Sequence, residues 1–559
     1  MLIEIHMIQN HSPANMNRDD LGAPKTCLFG GVPRARISSQ CLKRSIRCPQ
    51  NPEDVHNRGA GMFAQAMAAH IGCRTKFFPW LVEQELLKSQ IPEDEHERII
   101  LKAERIAVSK EREEKKGQPG AKSDSRRRTA QLIHLGPGHA KQFVEKLQQL
   151  RVSHQEEYKY FLDPKVGFQE MVASRPSVSD LDEKVQTRIV KASWFIANHR
   201  MKELLKPAEG EEPEPEPEME DDQPTVEHAS LIADRLATLY VQNRKAFQQL
   251  TTVTKEQKKE DTPDEPEGFK KFMDALKSVN RFDAVDIALF GRMTTSEAFE
   301  DVEAAMQVAH AISTDQVVNE TDYFTAVDDL GKTGGGAGHV DEAMYNSACF
   351  YKYFSLDWDQ LVRNLAGPEP DAKKHEAAHK KWVDRLKPNA PKLAAAAVGH
   401  FIRAAAMTTP SGKQNSFASH CEPCGILVEI KKTKVPTSYA NAFAEPVRRI
   451  GKLEDDTADE QGIEGRSVAC LADHVQAIRH AYGVDSTLLW YSPKLWRFPF
   501  RYWEHDDDGK KKAPPKLVTD RVFSVLEGKP DGLVEALVKE MGFDWSQVKN
   551  FGSATEASL

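Results

Sequence analysis

Residues 3–47 read IEIHMIQNHSPANMNRDDLGAPKTCLFGGVPRARISSQCLKRSIR, and the fold prediction starts from this stretch. Its first residues alternate between apolar and polar side chains from Ile3 to Met7, a period of two that predicts a half-buried opening strand. A loop is expected over residues 9–33. It ends in Gly30, Gly31 and a nearby proline, which favour a tight turn into a short basic helix.

Residues 34–47 contain five basic residues and no acidic one. At 100° per residue, Leu42 and Ile46 point to one side of the predicted helix, and Ser38 or Ser39 can cap its start. The capped end directs backbone NH groups and the positive end of the helix dipole towards an anion. The pattern predicts a helix that binds a polyanion, and the alternative is a solvated basic surface. The polar face consists of Gln40, Lys43, Arg44 and Arg47.

The total charge of the chain hides a strong segregation of charges. The formal net charge is only −8 over 559 residues. Residues 207–225 contain nine acids, five prolines and no base, whereas residues 30–50 contain five bases and no acid. Local charge is therefore the better guide to a nucleic-acid partner than the total.

The sequence argues against several classes of protein. The eight cysteines are scattered, and the first residues, MLIEIHMIQ, have neither a basic region nor a long apolar core. Secretion and a disulfide framework are therefore not expected. Because no run of eighteen apolar residues occurs, no membrane association is expected, and a cytoplasmic protein is predicted.

The rest of the chain alternates between helical and strand-like patterns. Residues 58–281 have mostly helical spacing, interrupted by a basic segment at 110–128 and the acidic segment at 207–225, both predicted to be mobile loops. Strand-like runs return at SACFYKYFSL, GILVEIKK and STLLWYS. A sheet closed by such distant segments indicates an α+β fold. No RNP1 pattern is present, so an ordinary RRM reading face is not expected.

Two long blocks resemble one known family in residue order and spacing. The first is residues 3–47, and the second is residues 285–330, VDIALFGRMTTSEAFEDVEAAMQVAHAISTDQVVNETDYFTAVDDL. Both resemble CasC, the backbone subunit of type I-E CRISPR Cascade complexes in the Cas7 superfamily. Weaker similarity continues through SACFYKYFSLDWDQLVRNL, GKQNSFAS and SYANAFAEPV.

The resemblance implies a ferredoxin-like, RRM-related palm with a large helical fingers insertion and a protruding thumb loop. The predicted domains are as follows: palm at 1–57 with the guide-binding helix, fingers at 58–281, palm at 282–313, thumb at 314–346, and the second part of the palm with the C-terminal region at 347–559. The chain is longer than is usual for this family.

The resemblance also implies the residues that contact a guide RNA. Tyr323 and Phe324 are adjacent aromatics before a flexible GKTGGGAGH segment, and such aromatics can stack on bases. The alternative is a hairpin whose aromatics pack on a neighbouring subunit. Met293 matches a wedge between bases, whereas a core methionine would be the default. The predicted contacts are Arg18, Lys25, Ser38, Gln40, Lys43, Arg44, Arg47, Met293, Tyr323, Phe324 and Thr325.

The implied function is to polymerise along a CRISPR guide RNA and to present its bases for pairing with target DNA. The implied partners are the guide RNA, the target DNA strand through the guide, further copies of the chain, the other Cascade subunits (Cas5-like, large, small and Cas6-like), and a recruited helicase-nuclease. No catalytic residue and no cofactor are expected.

Two metal-dependent alternatives remain from the sequence. Type III backbone subunits, which are related, cut RNA with a loop aspartate, and Asp19 and Asp20 lie in an early loop where carboxylates could bind Mg²⁺. Adjacent acids rarely converge on one ion, so they are expected instead to pair with nearby Arg18 or to fix the loop. Cys421 and Cys424 have the spacing of a zinc half-site, but no second pair lies nearby, and no metal is predicted.

Overall fold

The structure is a computed structural model. It describes residues 1–47, 61–106, 129, 133–162, 169, 172–173, 175–199, 201–205, 226–252, 268–277, 284–293, 301–326, 339–373, 376–448, 462–505, 511–519, 521–528 and 532–553. The two predicted mobile loops at 110–128 and 207–225, and most of the GKTGGGAGH segment, lie outside these residues.

The described strands, in chain order, are β1 (Leu2–Ala14), β2 (Thr26–Phe29), β3 (Val32–Ile37), β4 (Cys73–Thr75), β5 (Ile133–Leu135), β6 (Met306–Val308), β7 (Ala311–Ser313), β8 (Glu320–Ala326), β9 (His339–Asp357), β10 (Gly425–Lys431), β11 (Ser486–Tyr491), β12 (Arg501–His505), β13 (Lys511–Leu517) and β14 (Arg521–Phe523).

The described α-helices are α1 (Ser39–Arg47), α2 (Met62–Ala66), α3 (Phe78–Leu86), α4 (Glu93–Ile106), α5 (His139–Ser153), α6 (Gln155–Phe161), α7 (Pro176–Ser179), α8 (Glu183–His199), α9 (Met201–Leu204), α10 (Val226–Gln242), α11 (Arg244–Thr251), α12 (Phe269–Lys277), α13 (Val285–Phe290), α14 (Trp358–Ala366), α15 (Glu376–Lys381), α16 (Lys387–Met407), α17 (Gln414–Phe417), α18 (Gly462–Tyr482), α19 (Leu533–Glu540) and α20 (Trp545–Val548). Short 3₁₀ turns lie at Ala68–His70 and Ala440–Phe443, and a π-helical turn lies at Trp382–Leu386.

The chain divides into two compact units. The first comprises Met1–Cys73, Phe282–Arg292 and Asp301–Leu559, and the second comprises Arg74–Arg281 and Met293–Glu300. The predicted α+β class is confirmed, because a large and mainly antiparallel sheet is combined with many helices. None of the described helices is both long and apolar enough to cross a membrane.

A ten-stranded sheet organises the first unit. Its strand order is β14-β11-β10-β1-β9-β7-β3-β2, and β6 and β8 pair with β9 beside this path. β1 therefore lies between two strands from much later in the chain, with Ile5 opposite both Phe354 and Val428. The three strand-like runs predicted from the later sequence are confirmed as parts of β9, β10 and β11.

The opening strand is confirmed, but the prediction that it is half buried is wrong. Glu4 and His6, which belong to its polar face, are both 0% exposed. One face of the sheet packs against α16 through residues such as Ile5 and Val398. The other face packs against α18, and this helix covers the polar side chains that the alternation alone assigned to solvent.

The predicted loop at 9–33 is only partly a loop. β1 continues to Ala14, and β2 and β3 form a hairpin in which Phe29 pairs with Val32. The connecting residues Gly30 and Gly31 have φ of +60° and +78°, which suits a tight two-residue turn. A Cβ on Gly30 would lie 1.7 Å from the carbonyl oxygen of Ala444, so no side chain fits there.

A buried charged cluster links β1 to β10. Lys431 Nζ donates to Glu4 Oε2 at 2.5 Å and lies 3.5 Å from Glu429 Oε2. The hydroxyl of Tyr353 donates to Glu4, and that of Tyr439 donates to Glu429 at 2.8 Å. Burial raises the pKa of Glu4, although Lys431 and Tyr353 oppose that shift. A buried cluster of this kind depends on each charge keeping its partner.

The second unit is helical, apart from the short pair of β4 and β5. Residues of α3, α4, α5, α6 and α12 form one apolar cluster, which includes Val82 and Phe272. Residues of α8, α10 and α11 form another, which includes Ile196 and Leu236. The helical patterns predicted within residues 58–281 are thereby confirmed where the chain is described.

Lys431→Met tests the buried cluster. It should lower the free energy of unfolding by about 3–5 kcal/mol, because it leaves two buried carboxylates without their cation. Lys432 is the adjacent exposed residue, and Lys432→Met should change stability by less than about 0.5 kcal/mol. Urea unfolding measures the stability of both variants. If both substitutions had equally small effects, the buried cluster would not stabilise the fold as proposed.

Candidate nucleic-acid interface

The β2–β3 hairpin is held in place by the buried side chain of Arg34, which is 0% exposed. Its Nη1 donates to the carbonyl oxygens of Ser313 and Thr314 at 3.0 and 2.9 Å. Its Nη2 donates to those of Phe443 and Ala444 at 2.7 and 3.2 Å. Arg34 thus fixes the strand that leads into α1, and its charge is directed into the protein.

The start of α1 has the predicted cap. The Ser38 hydroxyl accepts from the backbone NH of Cys41 at 3.3 Å, and the Ser38 carbonyl accepts from Leu42 at 3.0 Å. The NH of Ser38 donates to the Asn17 side chain at 2.8 Å. The loop that carries Arg18 and Lys25 is therefore attached to the beginning of the helix.

The polar face of α1 divides into two parts. Gln40 and Arg44, four residues apart, are both exposed. Lys43 and Arg47, also four residues apart, face α13. The ammonium of Lys43 lies 5.7 Å from the ring centroid of Phe290, within range of a cation–π contact.

Arg47 has a structural partner. Its Nε forms an ion pair with the carboxylate of Asp286, which is 0% exposed. Its Nη2 donates to the carbonyl of Gly72 at 2.5 Å, and the NH of Gly72 donates to Asp286 at 2.8 Å. The prediction of Arg47 as a guide contact stays untested, but in this arrangement its guanidinium binds protein groups.

A basic cluster lies beside this framework, and it is exposed at one residue and half-buried at the other two. It consists of Lys25, Arg36 and Arg44, and none of the three forms an ion pair within the described part of the chain. The pKa of His310 is lowered first by burial and then by the charges of Arg36 and Lys25. Lys25 and Arg44 likewise oppose the burial that raises the pKa of the Cys41 thiol. Burial is the larger cause of both shifts, and the smaller contribution of Lys25 to each places the three cations near one another.

Arg36 is the residue of this cluster that the sequence prediction omitted. It lies on β3, and its backbone NH donates to the carbonyl of Lys25 at 2.9 Å. The helical-face argument could not find it, because it belongs to a strand. Its presence in the basic run was the available signal. Arg18, which the prediction included, is exposed in the adjacent loop.

Met293 and the aromatic pair of Tyr323 and Phe324, which were predicted to contact bases, are exposed. Met293 is 93% exposed, which excludes the alternative of a core methionine. It follows Arg292, whose backbone forms a β-bridge with Val302. Its role as a wedge stays a prediction.

Within the predicted thumb at 314–346, β8 and the first residues of β9 form a ribbon, where Tyr323 pairs with Glu342 and Phe324 with Asp341. We call residues 320–326 and 339–346 the thumb ribbon. Tyr323 is 72% and Phe324 is 45% exposed. Because successive side chains of a strand point to opposite faces, Tyr323 and Thr325 share one face and Phe324 occupies the other. The two aromatic rings therefore cannot stack on the same base.

The acids of the early loop have a local structural role. Asp19 Oδ1 accepts from the backbone NH groups of Leu21 and Ala23, both at 2.9 Å, and closes the turn. Asp20 is exposed beside it. The Cys424 thiol is buried and donates to the carbonyl of Ile8 at 3.4 Å, and burial raises its pKa. Within the described residues, no three His, Cys, Asp or Glu side chains are grouped to hold a metal.

The chain belongs to the CT1975-like protein family, whose model matches residues 3–187 and 159–497. Comparison with curated proteins gives no match. Among solved structures, a chain of a "CRISPR RNA-guided surveillance complex, pre-nicking" has a TM-score of 0.51 at 20% identity, over 97% of this chain and 100% of that one. A chain of another "CRISPR RNA-guided surveillance complex" has a TM-score of 0.40 at 17% identity, with the same coverage. The first of these matches establishes a shared fold.

Arg44 and Arg47 provide a matched pair of substitutions on one helix. Arg47→Ala should lower the free energy of unfolding by about 3–5 kcal/mol, because Asp286 stays buried without its cation. Arg44→Ala should change stability by less than about 0.5 kcal/mol. It should instead reduce the salt dependence of single-stranded RNA binding by about 0.7 in log–log slope, the value for one phosphate contact. Denaturant unfolding measures the change in stability, and salt titration of RNA binding measures the change in slope. A large loss of stability in Arg44→Ala with a reduced slope only in Arg47→Ala would refute these roles.

Proposed function

We propose that this protein is the guide-RNA-binding backbone subunit of a type I CRISPR Cascade complex, of the Cas7 superfamily. In this proposal the sheet unit contains the ferredoxin-like palm, the helical unit is the fingers and the thumb ribbon is the thumb. Membership of the CT1975-like family and the fold shared with a chain of a surveillance complex support it.

The observation that carries the proposal is the separation of two kinds of exposed or half-buried side chain. Lys25, Arg36 and Arg44 are cations without carboxylate partners among the described residues. Tyr323 and Phe324 are exposed aromatics on a ribbon. Cations bind phosphates of any sequence, and apolar or aromatic groups contact bases. A protein that holds a guide must do both without reading base edges.

Each copy binds the guide backbone through its cations, while Met293 and the thumb ribbon displace bases at regular intervals. The remaining bases stay free to pair with the target DNA strand, so base pairing supplies the sequence specificity. The arrangement requires neighbouring copies of the chain along the guide. It also requires Cas5-like, large, small and Cas6-like subunits and a recruited helicase-nuclease.

We propose further that the subunit binds RNA without cleaving it. The carboxylate of Asp19 is engaged by the NH groups of Leu21 and Ala23, which supports a role in loop structure. The alternative, a type III-like RNase, assigns that carboxylate to a catalytic Mg²⁺.

Chemical probing of the guide in the assembled complex tests the proposed function. The bases should show a periodic pattern of reactivity, since each thumb displaces a base. Tyr323→Ala and Phe324→Ala should weaken guide binding by about 1–3 kcal/mol wherever the removed ring stacks on a base. Neither substitution should change the salt slope of binding, because no charge is removed. Met293→Ala should make the displaced bases less uniformly reactive. Thr321→Ala, on the same ribbon face as Tyr323, is the control, and a guide without any periodic pattern would refute the mechanism.

Incubation of the guide-loaded complex with complementary RNA and Mg²⁺ tests the absence of cleavage. Intact RNA is the expected result, for the unmodified protein and for Asp19→Ala and Asp20→Ala alike. Regularly spaced fragments that disappear in either variant would identify an RNase and overturn the non-catalytic assignment.

A further inference from the structure

Residues 408–421, TTPSGKQNSFASHC, connect the end of α16 to the segment before β10, and we call them the strap. The strap contains no acidic residue. Asn415, Ser416 and His420 are exposed, and Lys413 is partly exposed. No carboxylate in the described part of the chain forms an ion pair with Lys413.

The strap packs directly on the end of β1. A Cβ on Gly412 would lie 2.4 Å from the carbonyl oxygen of Met16 and 2.9 Å from that of Asn15, so this approach requires glycine. Further along, the hydroxyl of Ser12 donates to that of Ser419 at 3.0 Å. The strap is thus fixed at both ends to the strand that precedes the Arg18–Lys25 loop.

Contacts at the same place connect the strap to the other parts of the interface. The amide of Asn15 donates to the carbonyls of Gly22 and Met344, at 2.9 and 2.8 Å. The ring of Phe417 lies 5.5 Å from that of Tyr345, centroid to centroid. The strap, the early basic loop and the base of the thumb ribbon therefore meet around Asn15.

The strap keeps a backbone conformation that is unfavourable for its residues. Lys413 and Ala418 have φ of +45° and +47°, and they are the described non-glycine residues with positive φ. L-residues adopt this region at a cost, and such residues concentrate at functional sites. Lys413 and Ala418 flank the short helix α17, so that Lys413 lies directly before its first residue and Asn415 is its second.

Two buried acceptors on this surface have no donor among the described residues. They are Oδ1 of Asn15 and Oε1 of Gln414. Buried carboxamide oxygens normally accept a hydrogen bond, and because both atoms are shielded from solvent, an ordered water between them and a polar ligand would supply the donor. Ribose hydroxyls are both donors and acceptors.

The charge of the thumb ribbon limits what this surface can bind. Glu320, Asp322, Asp341 and Glu342 are all exposed, and the described ribbon has no lysine or arginine. A phosphate backbone that passes the ribbon is therefore repelled along its length and needs cations at its base. Lys413, with Lys25 and Arg18 on the adjacent loop, supplies positive charge at that base.

We propose that the strap is a second guide-backbone contact, in which Lys413 binds a phosphate and Asn415 binds the 2′-hydroxyl of a neighbouring ribose. This inference rests on the proposed guide-RNA function and adds residues that the predicted contacts did not include. It assigns to the strap a preference for RNA over DNA, because only RNA carries the 2′-hydroxyl.

Salt titration of guide binding by Lys413 variants tests the phosphate contact. Lys413→Ala should reduce the log–log salt slope by about 0.7, the value for one phosphate on a single strand. Lys413→Gly should reduce it equally while leaving thermal stability unchanged or higher, because glycine adopts positive φ without strain. Lys539→Ala, at an exposed lysine on α19, is the control and should leave the slope unchanged.

Guides with 2′-deoxy substitutions test the ribose contact. The unmodified protein should bind the RNA guide more tightly than its deoxy counterpart, and Asn415→Ala should narrow that ratio. A Lys413→Ala protein that keeps the full salt slope would refute the strap proposal and leave the guide-RNA function intact. If the Lys413→Ala protein assembled with fewer protein copies on each guide but kept the full salt slope, the strap would instead be a contact between neighbouring copies. An unmodified protein that binds no guide would refute the proposed function itself.

Discussion

The rest of the interface depends on the buried guanidinium of Arg34. Its donors bind main-chain carbonyls from three separate segments, at Phe29, at Ser313 and Thr314, and at Phe443 and Ala444. Arginine can do this because its five NH groups lie in a rigid fork, which lysine lacks. The hairpin that these bonds fix leads directly into α1. The buried guanidinium of Arg34 therefore helps to set the position of the cations on that helix.

The basic run at 34–47 therefore consists of residues with different roles. Arg34 organises carbonyls, Arg47 neutralises buried Asp286, and Lys43 lies over Phe290. Arg44 is exposed, whereas Arg36 is half-buried but forms no ion pair among the described residues. Counting charges in such a run overestimates the phosphates it can bind, because a buried carboxylate competes for arginine more strongly than solvent does.

The interface joins two electrostatic environments. The basic cluster and the strap carry cations that form no ion pair with any described residue, whereas the thumb ribbon is acidic and carries exposed aromatic rings. A polyanion would follow the first and avoid the flanks of the second, while its bases remain free to stack on the ribbon. The opposite orientation of Tyr323 and Phe324 means that the ribbon presents one aromatic ring on each face.

The sequence by itself determined the local elements. The alternation from Ile3 predicted β1, the spacing of Leu42 and Ile46 predicted the buried side of α1, and Ser38 was identified as a possible cap. These features depend on backbone periodicity and on groups a few residues apart. The tertiary structure alone decided which polar groups are buried and which cations are free. Asp286 is 239 residues from Arg47, and the carbonyl partners of Arg34 include one 410 residues away. Partners so distant in the chain leave no signal in a local pattern. The burial of Glu4, whose cation Lys431 is 427 residues away, could not be read from sequence for the same reason.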